Sequence, residues 1–73
     1  MMFRKIQLRI LTAHIYTWKE KDFGTSKAPN HVVDRDNIVL VAGCELNGYS
    51  KIIYQGQCLI TWTIFIERFT KIV

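Results

Sequence analysis

The chain has few acidic residues, few cysteines and few residues that break regular structure. Six Asp and Glu stand against ten Lys and Arg, and there are two Cys, one Pro and four Gly in 73 residues. Two cysteines cannot make a disulfide-dense scaffold. So little Pro and Gly excludes collagen-like and low-complexity classes. No apolar run approaches the ~20 residues that cross a bilayer as a helix; the longest, Cys58 to Ile66, holds Thr61 and Thr63. Arg4, Lys5 and Arg9 interrupt the leading apolar residues before the core of a secretory signal could form. Residues 1–19 contain no acid, as transit peptides do, but they also contain no Ser, so the segment is read as part of the domain. A reducing, cytoplasmic location is the expectation. Ala and Leu are sparse beside Ile, Val, Thr and the aromatics, a set that suits a pleated, half-buried surface better than a helix.

At 73 residues the chain is one domain. A domain of this size buries only roughly 60% of the surface of its unfolded chain and has little depth for a catalytic pocket. Its 49% hydrophobic and 22% charged residues argue against disorder. The net charge of +4 is uneven. Arg4, Lys5, Arg9, Lys19, Lys21 and Lys27 face only Glu20 and Asp22 in the first 27 residues. That third of the chain favours an acidic partner, although a charge this small also serves solubility alone.

The strongest local signal is Asn47-Gly48, set between residues 38–46 and 49–54, both dense in β-formers. Asn-Gly accepts the positive φ of both central positions in a two-residue hairpin. This turn predicts Leu46 opposite Tyr49, Cys44 opposite Lys51 and Ala42 opposite Ile53. A second turn at Gln55-Gly56 predicts Ile53 opposite Cys58 and Lys51 opposite Ile60. The third strand of the meander then runs from Cys58 to about Glu67. Alternation sorts the strands into two faces. One carries Leu40, Ala42, Cys44, Leu46, Tyr49, Ile53, Cys58, Ile60, Trp62, Ile64 and Ile66, and is expected to be the core. The other carries Val39, Val41, Ile52, Tyr54 and Leu59 among polar residues and is expected to stay partly open.

Before the meander, Ile6, Leu8 and Ile10 alternate cleanly, and the alternation slips past Leu11 as at a bulge. A strand is expected there, in preference to a helix, laid over one face of the meander. Residues 19–37 read as a long polar loop with a short strand at His31 to Val33. The expectation is a mainly β domain over residues 1–73. It is a small antiparallel meander of four or five strands that curls into an open barrel of the general SH3 or OB shape. That resemblance is architectural and carries no function.

Candidate chemistry is thin. His14, His31, Cys44 and Cys58 match no metal-box spacing, and the cysteines are expected to be buried, reduced and unbridged. Asp22-Phe23-Gly24 repeats a kinase tripeptide without the rest of that motif set. Asp34 and Asp36 beside Asn37 are expected turn residues. Ser26 and Ser50 have no His beside them in the sequence. No catalysis, cofactor or metal is expected. Trp62 reads as core, whereas Tyr16, Trp18 and Tyr54 are the aromatics expected near a contact surface.

The leading expectation is therefore a protein-binding module, an adaptor, inhibitor or accessory subunit. It would dock a larger protein or self-associate through Tyr54, Val39, Val41, Ile52 and Leu59 together with the 19–37 loop. The alternative is a nucleic-acid-binding module using Arg4, Lys5, Arg9, Lys19 and Lys21.

Overall fold

A computed structural model describes residues 6–25, 27–44 and 48–73. It is mainly β, an antiparallel sheet curled into an open half-barrel with one short helix. The strands are β1 (Gln7–Leu11), β2 (Ile15–Lys19), β3 (His31–Val33), β4 (Ile38–Cys44), β5 (Tyr49–Tyr54), β6 (Gln57–Trp62) and β7 (Thr70–Ile72), with helix α1 (Thr63–Phe69) between the last two. Their order across the sheet is β3-β2-β6-β5-β4-β1-β7.

The meander β4-β5-β6 forms the middle, and the N-terminal segment flanks it on both sides. β1 pairs with β4, and β2 pairs with β6. The strand expectation for this segment holds, but the segment extends the sheet instead of covering a face. Leu11 and Ile15 can lie at most about 14 Å apart along the chain. Their strands sit four places apart in the sheet, about 19 Å if it were flat. The short link through Thr12, Ala13 and His14 therefore requires the sheet to curl. The strand count exceeds four or five because this segment splits in two and because β7 adds a short edge; β3 is the short strand expected at His31–Val33.

Register is where expectation and structure diverge. The Gln55-Gly56 turn is as expected. Ile53 pairs with Cys58 and Lys51 with Ile60, around two consecutive residues at positive φ (51° and 76°). The β4–β5 pairing is not. Cys44 pairs with Ser50 and Gly43 with Lys51, and past an irregularity at Ala42 Val41 pairs with Ile52 and Leu40 with Ile53. This is one residue, then two, out of the register that a two-residue Asn47-Gly48 loop would impose. Gly48 does take the positive φ foreseen (89°); Leu46 and Asn47 lie outside the described residues.

The shift goes with an exchange of faces. Val39, Val41, Ile52 and Leu59, expected to stay open, are buried. They form one core with Leu11, Ile15, Val33 and Ile66, against which Tyr54, Phe65 and Phe69 pack. Ile53, Trp62 and Cys58, expected inside, lie on the outer face and are exposed. The physical reason lies in the polar residues of the inner face. Ser50, Thr17 and Thr61 are fully buried, and their hydroxyls are bonded. Ser50 Oγ meets Thr63 Oγ1 at 2.7 Å, Thr61 donates to the Tyr16 carbonyl at 2.8 Å, and Thr17 donates to the His31 carbonyl at 3.1 Å. A bonded hydroxyl is cheap to bury, and short side chains suit the tight inside of a small curled sheet. Counting apolar residues therefore favoured the wrong face.

The third strand also ends early. It stops at Trp62, and Thr63–Phe69 is helical. Helical spacing places Phe65, Ile66 and Phe69 against the core and leaves Ile64 exposed. Backbone capping ties both ends: Thr63 N donates to the Gly48 carbonyl, and Thr12 N donates to the Phe69 carbonyl. The Thr70 hydroxyl also donates to the Ile66 carbonyl. Tertiary contacts thus override a β-rich local sequence.

Candidate functional site: the outer sheet face

By strand alternation the outer face carries Leu8 and Ile10 on β1, Ile38 and Leu40 on β4, and Tyr49, Lys51 and Ile53 on β5. It continues with Cys58, Ile60 and Trp62 on β6, Tyr16 and Trp18 on β2, Val32 on β3 and Lys71 on β7. The face has two halves.

One half is roofed by the loop after β2. Phe23 inserts among Trp18, Tyr49 and Trp62, with ring centroids at 5.5, 5.2 and 4.8 Å. These rings bracket Ile60 in the register, which accounts for its burial on the outer side. The loop is built, not slack. Asn30 Oδ1 accepts from Lys19 N, and Asn30 Nδ2 donates to Asp22 Oδ2 at 3.0 Å. Lys27 reaches Asp22 at 3.3 Å, and Trp18 Nε1 donates to the Lys27 carbonyl. The hydrogen bond from Asn30, with help from Lys27, holds the Asp22 carboxyl below its ordinary pKa, against the opposing pull of burial.

The other half has no roof. Leu8 pairs with Leu40, Leu40 with Ile53 and Ile53 with Cys58. This is an uninterrupted apolar row across four adjacent strands. Ile10 and Ile38 form a second row beside it. Leu8 is 53% exposed, Ile38 51% and Ile53 40%, so no described element covers them. Among the described residues, the charged side chains that strands bring to this face are Lys51 and Lys71. Lys51 lies 3.8 Å from Glu20 of the loop.

The anticipated site residues fare as follows. Val39, Val41, Ile52 and Leu59 are core and cannot meet a partner. Tyr54 is half-buried, packs on the core and donates its hydroxyl to Asn37 Oδ1 at 3.0 Å. Of the basic set, Arg4 and Lys5 lie outside the described residues. Arg9 is half-buried on β1, bonded to Gln7 and Thr70. Lys19 and Lys21 are exposed at the far end of β2 and in the turn after it. The structure does not bring Arg9 together with them. Tyr16 is 44% exposed. Trp18 is half-buried under Phe23.

Cys58 is exposed and unbridged, not buried as expected. Asp36, at positive φ (73°), and Asn37, bonded to the Asp34 carbonyl, form the turn before β4. Among the described residues no three His, Cys, Asp or Glu side chains gather as metal ligands. An apolar groove of about 200 Å³ lies between the β1–β2 link and α1, lined by Ala13, His14, Ile15, Tyr16, Phe65 and Phe69. No described helix is long and apolar enough to cross a membrane.

The residues missed at the outer face, Leu8, Ile38, Leu40 and Ile53, alternate as cleanly in the sequence as those on the inner face. Only the choice of face hid them. No protein family, curated protein or solved structure matches the chain.

Proposed function

We propose that the chain is a non-catalytic protein-binding module, an adaptor, inhibitor or accessory subunit, that docks a larger protein through its outer sheet face in a reducing compartment. The observation that carries this reading is the bare row Leu8–Leu40–Ile53–Cys58 with Ile10 and Ile38 beside it. A sheet face this apolar normally packs against another layer, and contiguous exposed apolar patches mark interaction surfaces. Burying about 300 Å² of it would contribute about 7 kcal/mol before association costs. That is comparable with those costs, so the rim must help select the partner.

Aliphatic side chains in a row suit protein docking better than base stacking, which needs open aromatic faces. The nucleic-acid alternative rests on Lys19 and Lys21 beside the ring cluster, without Arg9.

The test uses Cys58 as a handle on the bare row. A photo-crosslinker attached there, in a Cys44→Ser background, is expected to trap one protein species stoichiometrically in cells. Ile53→Asp is expected to abolish that product while the circular dichroism spectrum stays unchanged. Crosslinking that survives Ile53→Asp would refute docking through this face. Recovery of nucleic acid, with affinity falling steeply as salt rises, would establish the alternative.

A further inference from the structure

The two cations that the described strands place on the outer face flank the apolar row from opposite sides. Lys71 stands in the row of Ile10 and Ile38, and Lys51 in the row of Ile60. Among the described residues no strand brings a carboxylate to this face. From these positions we infer that the partner element is an acidic amphipathic helix lying along Leu8–Leu40–Ile53–Cys58; the inference rests on the docking reading above.

The dimensions agree. Four adjacent strands span three spacings, about 14 Å, which two to three helical turns cover with apolar residues at i, i+3 or i+4, and i+7. A helix is also the layer that an apolar sheet face commonly takes, and the only described helix, α1, is already committed to the core. Charge selects between occupants. A second copy would set +4 against +4 and bring Lys51 and Lys71 to face their own kind, whereas an acidic helix supplies the opposite sign. Glu20 shows the complement in place. Its carboxylate lies 3.8 Å from Lys51 while remaining 71% exposed, so an incoming carboxylate can displace it without unmaking a buried pair.

The probe is a 14-residue helical peptide with Leu along one face and Glu on the others, compared with the same peptide carrying Lys in place of Glu. Each is titrated at low salt into the full chain, with peptide anisotropy as readout. The Glu peptide is expected to bind at least about tenfold tighter than the Lys peptide, in line with the modest worth of exposed ion pairs. The double variant Lys51→Glu with Lys71→Glu should invert that preference. Glu20→Gln should tighten the Glu peptide, and Ile53→Asp should abolish binding of both. Circular dichroism checks the fold of each variant.

Equal affinity for the two peptides, no binding of either, or a preference that survives the double reversal would overturn the inference. So would a concentration-dependent dimer of the free chain that Ile53→Asp dissolves, because a second copy would then cover the face. A crosslinked partner at Cys58 combined with failure of the Glu peptide would refute the acidic helix and leave the docking reading standing. Loss of the crosslinked partner would remove both.

Discussion

Ile52 and Ile53 are neighbours in the chain and point to opposite sides of β5. Ile52 is fully buried and Ile53 is 40% exposed. Ile52→Ala should therefore destabilise the fold by about 2–5 kcal/mol, the usual cost of truncating a packed side chain. Ile53→Ser should change stability by less than about 0.5 kcal/mol, as surface substitutions do. Urea titrations decide it; the reverse ranking would mean that the faces are assigned backwards. Tyr54 belongs with Ile52, because its ring packs on the core and its hydroxyl is bonded to Asn37. Tyr54→Lys should lower the urea midpoint, not merely weaken a contact. Cys58 is exposed and should react with a thiol reagent in the native protein without denaturant. Protection until unfolding would contradict its placement.

At the scale of elements, the two turns and the long loop behave differently. Gln55 and Gly56 both take positive φ, and Gly56→Val should cost at least about 1–2 kcal/mol, because a β-branched residue resists that conformation. The loop after β2 is pinned through Asp22, whose pKa is lowered chiefly by the Asn30 hydrogen bond. A depressed carboxyl pKa contributes stability that is present above the ordinary carboxylate range and lost as pH falls through the lowered value. Acidification below that range should loosen the loop and change the fluorescence of Trp18 and Trp62, which contact Phe23. Asp22→Asn should flatten that acid transition. An identical transition in the variant would place its origin elsewhere. Helix α1 was not legible locally, because Thr63-Ile64-Phe65-Ile66 is a run of β-branched and aromatic residues that continues the strand before it. The helix lets Phe65, Ile66 and Phe69 pack on the core together.

For the whole molecule, the curl of the sheet depends on one bent segment. β1 and β2 hold opposite sides of the meander, and β3 and β7 are short edges with one neighbour each. Amide exchange should be slowest in β4, β5 and β6 and fastest in β3 and β7; uniform protection would argue against an open half-barrel. The β class, the strand nature of the N-terminal segment, the short strand at His31–Val33, the Gln55-Gly56 hairpin and its register, and the membership of the two faces of β5 and β6 are all written into the local sequence. These follow from alternation and turn chemistry, which act over a few residues. Which face is inside, how β4 is registered on β5, and the helical state of Thr63–Phe69 are settled in the assembled fold. Those outcomes depend on contacts between distant residues: Leu11, Ile15 and Val33 reach the inner face only once the sheet curls, and the hydroxyls of Thr17, Ser50 and Thr61 become cheap to bury only when their partners arrive.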